Sequence, residues 1–154
     1  MNEKGMDRVQ FLISPNPGEE LKPLAKIASG GELSRIMLAM KRIFAEEAWV
    51  KTLIFDEVDA GIGGGIAEVV GRKLKEISCQ HQVFCITHLP QIASFADSHY
   101  KVTKKETGGR THAEVKQLTE EERVDEIARM LGGIKITGKT LDHAREMLRD
   151  ARKK

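Results

Sequence analysis

The order of two short apolar segments and the helical stretch between them constrains the fold of this chain most. Residues 51–55 (KTLIF) and 82–87 (QVFCIT) each contain a continuous apolar run. Such runs are typical of strands buried on both faces of a parallel sheet. Residues 66–77 place apolar side chains at helical spacing. Strand, helix and strand in this order predict a βαβ unit, and therefore an α/β fold.

The amino-terminal third is predicted to contain one short strand and one long helix. Residues 9–13 (VQFLI) read as a strand, which the turn-forming sequence SPNPG at 14–18 ends. From Leu33 onward the apolar residues fall on one helical face. This spacing predicts a helix from about residue 30 to residue 48.

The carboxy-terminal third is predicted to contain a hairpin and two helices. Residues 99–106 and 110–118 alternate around a pair of glycines, as the strands of a hairpin do. Thr119 and Glu122 form a capping box that starts a helix, and the spacing from Leu141 predicts a last amphipathic helix. We therefore expect a single α/β domain over residues 1–154, with a mostly parallel sheet flanked by helices.

The composition argues against a membrane-spanning or a secreted, disulfide-rich protein. No apolar run approaches the roughly 20 residues of a helical span, and four of the first eight residues are charged. Cys79 and Cys85 form no CxxC pair. Lys and Arg number 25 and Asp and Glu 23, so the net charge of +2 neither favours nor excludes nucleic acid. We expect a reduced, cytoplasmic protein with no membrane partner.

Ser29, Gly30, Gly31 and Glu32 stand at the predicted start of the first long helix. One interpretation is a capping box between Ser29 and Glu32. Two glycines weaken a helix start, however, and glycine is tolerated where another group approaches the backbone closely. A helix amino terminus carries partial positive charge and free N–H groups, which favour a phosphate. Both interpretations remain open at this point.

Two carboxylates, Asp56 and Glu57, follow the first apolar strand, and Asp59 comes shortly after. Successive residues of a strand point to opposite faces, so the two side chains need not share a role. One interpretation is a strand that has simply reached solvent. The alternative is a magnesium site, in which Asp56 holds Mg²⁺ through water and Glu57 polarises an attacking water.

His88 follows the second apolar strand. A lone histidine is more often structural than functional. In parallel sheets, however, ligands bind beyond the carboxyl ends of the strands. We therefore predict that His88 lies at the same sheet edge as Asp56 and Glu57.

Residues 133–140 match the phosphate-loop pattern GxxxxGK[ST], with Lys139 and Thr140 at its end. A functional loop of this kind follows a buried strand and opens a helix. The segment before it reads as a charged helix instead. We expect its glycines to end one helix and start the next, and a complete phosphate-loop enzyme remains an alternative.

The order of these motifs resembles the second half of an ABC-type ATPase head of the SMC and Rad50 group. The resemblance is carried by ASGGELS at 28–34, TLIFDEVD at 52–59 and ITH at 86–88. The segments FLISPNPG at 11–18, DEVDAGIGG at 56–64 and THLPQIA at 87–93 are similar to the RecN family of bacterial DNA repair proteins. This likeness covers nearly the whole chain.

The resemblance implies that two heads pair around ATP and separate when it is hydrolysed. Ser29, Gly30 and Gly31, with Glu32 in the same turn, would form the signature motif that contacts the γ-phosphate of ATP on a partner head. Asp59 would couple the two sites across the dimer. The implied cofactors are ATP and Mg²⁺ in the completed head dimer.

The resemblance also implies roles at the strand ends. Asp56 would support Mg²⁺, Glu57 would orient the hydrolytic water, and His88 would sense the γ-phosphate. The whole protein would act on DNA double-strand breaks, in the cytoplasm and associated with the bacterial nucleoid.

One departure from the family limits this expectation. The family's own phosphate loop (Walker A) lies far upstream, before a long coiled coil, and this chain contains neither. We therefore expect the carboxy-terminal half of a head, inactive alone and completed by an amino-terminal half. The alternatives are a fragment of another SMC- or Rad50-like ATPase and a non-catalytic assembly or DNA-contacting module.

Overall fold

The computed structural model describes residues 9–14, 18–24, 30–44, 51–107, 109–133 and 135–153. Ser29 and the last residues of the predicted first helix lie outside these ranges. Within them the elements are, in chain order, β1 (Leu12–Ile13), β2 (Lys22–Pro23), α1 (Gly30–Phe44), β3 (Thr52–Phe55), α2 (Gly64–Ser78), β4 (Gln82–Cys85), α3 (Pro90–Ala93), β5 (Tyr100–Thr107), β6 (Arg110–Gln117), α4 (Glu120–Gly132) and α5 (Gly138–Lys153).

The predicted βαβ unit is confirmed. Strands β3 and β4 pair in parallel, with Thr52 opposite Gln82 and Phe55 opposite Cys85, and α2 connects them. The apolar face of α2 packs against β3, as its spacing predicts, and Leu38 of α1 joins the same core. The other buried residues of this core are Leu53, Phe55, Val58, Ala67, Val70, Leu74, Ile77 and Ile92.

The parallel sheet is smaller than the sequence predicts. Among the described residues, β3 and β4 form the parallel pair, while β1 with β2 and β5 with β6 form separate antiparallel pairs. The prediction that β3 is buried on both faces is wrong, because its residues alternate between exposed and buried. Ile54 is 70% exposed and Phe84 of β4 is 47% exposed. No described element of this chain covers that face, which explains why the apolar run does not bring burial.

The carboxy-terminal elements agree with the sequence. Strands β5 and β6 form the predicted hairpin over eight residues each. At the start of α4, Thr119 accepts a hydrogen bond from the Glu122 backbone and Glu122 accepts one from the Thr119 backbone, so the predicted capping box is present. Helices α4 and α5 share a second core, which contains Ile127, Ala128, Ala144 and Leu148.

The segment that matches a phosphate loop joins two helices. It follows α4, and α5 begins at Gly138. The hydroxyl groups of Thr137 and Thr140 each accept a hydrogen bond from the other residue's backbone N–H, at 3.3–3.4 Å, and so cap the start of α5. The strand that a phosphate loop requires does not precede this segment. This geometry argues against a nucleotide cradle at Lys139 and Thr140.

Candidate functional site at the sheet edge

The residues that follow β3 and β4 emerge at one edge of the parallel pair. Asp56 and Glu57 come directly after β3, and His88 comes three residues after β4. The pairing continues past β4, because the Ile86 N–H donates to the Phe55 carbonyl at 2.9 Å. The structure therefore brings Asp56, Glu57 and His88 to the edge where α/β proteins bind their ligands.

Asp59 forms the centre of the contacts at this edge. Its side chain is 5% exposed, and its Oδ2 accepts hydrogen bonds from Thr87 Oγ1 at 2.5 Å and from the His88 backbone N–H at 2.9 Å. The Nδ1 atom of His88 lies 3.0 Å from the same oxygen. Burial raises the pKa of Asp59, but the hydrogen bonds from Thr87 and His88 and the nearby imidazole outweigh it, so the pKa is lower than its ordinary value. Asp59 is thus a buried carboxylate held in its ionised form.

Asp56 and Glu57 are exposed at the same edge. The Asp56 Oδ1 accepts a hydrogen bond from the Glu57 N–H at 3.0 Å. Glu57 has a φ of 57°, in the left-handed region that residues other than glycine rarely adopt. The turn closes with a bond from the Ala60 N–H to the Glu57 carbonyl at 3.0 Å, and it places Val58 in the core. Backbone strain of this kind is often found at functional sites.

The first turns of α1 are fixed to the segment that follows β3. Ser34 Oγ donates to the Asp56 carbonyl at 2.9 Å, and Arg35 Nη1 donates to the Ala60 carbonyl at 2.8 Å. Gly31 is buried, and a Cβ atom there would lie 2.7 Å from the Cβ of Ala60. The two elements can approach this closely because residue 31 has no side chain.

The contact between Gly31 and Ala60 bears on the predicted phosphate site. The sequence indicates that some group approaches the glycine backbone closely, and at Gly31 this group belongs to the chain itself. The Cβ side of Gly31 is thus occupied by Ala60, and a phosphate contact through the backbone N–H of Gly31 stays a prediction. Ser29 lies outside the described residues, and only the backbone is described for Gly30 and Glu32. Their nucleotide contacts stay predictions.

Several residues that build this edge are not apparent from the sequence. Ser34 and Thr87 lie within the motif segments 28–34 and 86–88, and Arg35 directly follows the first. Nothing in the sequence marks these three as the residues that hold the site together. Cys85 lies beneath the edge, where burial and the charges of Asp59 and Asp56 raise the pKa of its thiol to about 12. This cysteine is therefore a neutral packing residue and not a nucleophile.

The described residues contain no ready-made metal cage. They include no group of three or more His, Cys, Asp or Glu side chains able to hold a metal ion. Mg²⁺, however, is ordinarily held by one or two carboxylates together with phosphate oxygens and water. The exposed carboxylate of Asp56 suits that kind of site, in which a nucleotide supplies the remaining ligands. In the same part of the chain, no helix has the length and apolar character needed to cross a bilayer.

Comparison with known proteins identifies a family. No protein-family model matches the chain. It is 53% identical over 146 residues to the DNA repair protein RecN of Halalkalibacterium halodurans, covering 95% of this chain and 26% of that protein. It is 50% identical over 151 residues to RecN of Bacillus subtilis, covering 98% of this chain and 26% of that protein. The chain thus spans about a quarter of the length of the curated relatives that it matches.

A solved structure supports the fold. It comes from work on ATP-driven dimerization and DNA-stimulated activation of SMC ATPases, and it aligns with a TM-score of 0.51 at 21% identity, covering 80% of this chain and 81% of that one. The fold and the similar proteins both agree with the family that the order of the sequence motifs indicates. The chain belongs to the RecN family of DNA repair proteins, corresponds to a carboxy-terminal segment of its members, and has the fold of an SMC-type ATPase head lobe.

Proposed function

We propose that this chain is the carboxy-terminal part of a RecN-like ATPase head that binds ATP and Mg²⁺ between paired heads during DNA double-strand break repair. The observation that supports this most is the common edge at which Asp56, Glu57 and His88 emerge beyond two parallel strands. Phosphoryl-transfer sites need a metal carboxylate, a residue that positions water and a group that contacts the transferred phosphate. The edge offers a candidate for each.

The proposed roles follow from exposure and chemistry. Asp56 supports Mg²⁺ directly or through water, because its exposed carboxylate is a ligand of the kind Mg²⁺ prefers. Glu57, which is exposed and has a left-handed backbone, orients the attacking water. His88, whose side chain is 75% exposed, contacts the γ-phosphate or the attacking water.

The signature turn is proposed to act on a nucleotide held by a second head. Ser29, Gly30 and Gly31 supply that contact, with Glu32 in the same turn, while the Cβ side of Gly31 packs on Ala60. Ser34 and Arg35 are hydrogen-bonded to the carbonyls of Asp56 and Ala60, so a movement of this turn would also displace those two residues. Binding in the partner site and the chemistry of this edge are therefore linked by hydrogen bonds.

The exposed apolar face supports completion by an amino-terminal half. Ile54 of β3, Phe84 of β4 and Ile86 are 70%, 47% and 61% exposed, and we name them the outer sheet face. Adjacent apolar residues exposed in this way mark an interaction surface. We propose that the amino-terminal half of the head, which contains the phosphate loop, packs on this face and extends the sheet. DNA is the proposed substrate of the whole protein, in the cytoplasm near the nucleoid.

A chimera tests the proposal. In it, this chain replaces the matching segment of the Halalkalibacterium halodurans relative, to which it is 53% identical. ATP hydrolysis and ATP-dependent dimerisation are measured, the latter by light scattering. Glu57→Gln is expected to abolish hydrolysis while ATP-dependent dimers persist. Glu121→Gln, an exposed carboxylate on α4, serves as the matched control and should hydrolyse ATP normally.

The outcome separates the proposed function from its alternatives. Hydrolysis that survives Glu57→Gln would contradict the role of this edge. DNA binding that is steeply salt-dependent and insensitive to both ATP and Glu57→Gln would favour a non-catalytic DNA-contacting module.

A further inference from the structure

We propose that Asp59 is a positioning residue that keeps the proton of a neutral His88 imidazole on Nδ1, so that Nε2 is left to accept a hydrogen bond from the attacking water. The contact that carries this inference lies within the chain and links the residues after β3 to the residues after β4. The presence of an attacking water at His88 rests on the proposed function, whereas the position of the ring proton does not.

A single carboxylate oxygen of Asp59 contacts both the backbone N–H and the ring of His88. Asp59 Oδ2 accepts the backbone N–H of His88 at 2.9 Å and lies 3.0 Å from its ring Nδ1. A lone pair on Nδ1 at this distance would face an ionised carboxylate oxygen, which only accepts hydrogen bonds, so the charge of Asp59 favours the tautomer that carries its proton on Nδ1. The same oxygen also accepts the hydroxyl hydrogen of Thr87 at 2.5 Å, which fixes where it lies.

The surroundings make Asp59 suited to orient the ring and unsuited to contact a nucleotide directly. Its side chain is 5% exposed, while that of His88 is 75% exposed. The Thr87 hydroxyl itself accepts the Leu89 N–H at 3.0 Å, so the carboxylate is anchored to the start of α3. The depressed pKa of Asp59 agrees with a carboxylate that stays charged in this position.

The orientation of the ring has a chemical consequence. In a neutral imidazole one nitrogen donates and the other accepts, and the partner of one nitrogen decides what the other can do. With the proton on Nδ1, Nε2 has a free lone pair and can accept a hydrogen bond from water at the exposed edge. A buried aspartate that sets the histidine tautomer plays this role in hydrolytic triads as well. Asp59 therefore acts through His88 and not on the substrate.

The first test needs only this chain. Long-range ¹H–¹⁵N NMR identifies which ring nitrogen carries the proton, at about pH 8.5, where a model histidine is neutral. The signal of His88 is assigned with His88→Gln. We expect His88 to carry its proton on Nδ1, opposite to the tautomer that free histidine favours. A wild-type His88 protonated on Nε2 would overturn the proposal without any need for a variant.

Two variants separate positioning from mere structural support. Asp59→Asn removes the charge, and we expect the His88 proton to shift toward Nε2. Thr87→Val removes another hydrogen bond of the same carboxylate without touching Nδ1, and the tautomer should stay as in the wild type. Equal tautomer populations in Asp59→Asn and the wild type would contradict the proposal, as would an equal shift in both variants.

The effect of Asp59 on ATP hydrolysis is measured in the chimera. Asp59→Asn should lower kcat about tenfold or more with little change in KM, and it should add no further loss to His88→Gln, because the two residues act as one unit. A positioning role would be contradicted if Asp59→Asn changed KM as strongly as kcat and if the double variant were less active than His88→Gln alone. A chimera without any ATPase activity would count against the proposed function, and the NMR result would still decide the orientation of His88.

Discussion

Gly31 of α1 packs directly on Ala60, at a distance that leaves no room for a side chain: a Cβ at residue 31 would lie 2.7 Å from the Ala60 Cβ and 2.9 Å from its carbonyl oxygen. This contact joins the signature turn to the segment that carries Asp56, Glu57 and Asp59. The glycine motif is therefore a packing device as well as a candidate phosphate contact.

Replacing Gly31 by alanine is expected to destabilise the fold. Overpacking a tight contact typically costs about 1–3 kcal/mol. Gly65, in the first turn of α2, is the matched control, since a Cβ there meets open space. Urea denaturation should show a lower free energy of unfolding for Gly31→Ala and an unchanged or slightly higher one for Gly65→Ala. An unchanged free energy of unfolding for Gly31→Ala would show that the contact with Ala60 is not close.

Removing the guanidinium of Arg35 is expected to weaken the same connection. Arg35→Met keeps the aliphatic stem and loses the bond to the Ala60 carbonyl. We expect the free energy of unfolding to fall by about 1 kcal/mol, the usual net value of such a bond. Arg145→Met on α5, whose partner Asp142 is exposed, should change it by much less, because surface ion pairs contribute little. Equal effects of the two changes would contradict this difference.

Because Glu57 has a left-handed backbone, we expect its replacement by glycine to preserve the stability of the fold and to abolish activity. Glycine adopts a φ of 57° without strain, so Glu57→Gly should hold or raise the free energy of unfolding, by up to about 1 kcal/mol. The same change should abolish ATP hydrolysis in the chimera. Glu57→Val, with a β-branched side chain, should be less stable than the wild type. A destabilised Glu57→Gly would show that the side chain of Glu57 supports the fold.

The lowered pKa of Asp59 predicts that the fold loses stability in acid. Its pKa is lowered in the folded chain from the ordinary value of 3.8, so its contribution is present above that value and disappears as the pH falls through the lower, folded pKa. Between pH 7 and pH 3, the free energy of unfolding should therefore fall more for the wild type than for Asp59→Asn, which has no proton to gain. Parallel curves for the two proteins would contradict an ionised, hydrogen-bonded Asp59.

The sequence predicts local features of this chain well where neighbouring residues determine them. The capping box of Thr119 and Glu122 and the hairpin around Gly109 depend on residues close in the chain, and both are present. The shared edge of Asp56 and His88 follows from the geometry of a βαβ unit. These features need no knowledge of distant contacts.

The remaining features depend on contacts between distant parts of the chain, or on surfaces that this chain does not cover. The pairing of Ser34 with Asp56 joins residues 22 positions apart. The buried carboxylate of Asp59 accepts a hydrogen bond from Thr87, 28 positions away. Ile54 lies in an apolar run that predicts burial, yet it is exposed, because burial depends on what packs against a strand as well as on its sequence.

The central claim is that this edge becomes an ATPase site only when another part of the protein completes it. The most direct measurement compares ATP turnover by this chain alone with turnover by the chimera that supplies an amino-terminal part. We expect no turnover above background for the chain alone, and Glu57-dependent turnover for the chimera. Full turnover by the isolated chain would contradict the claim.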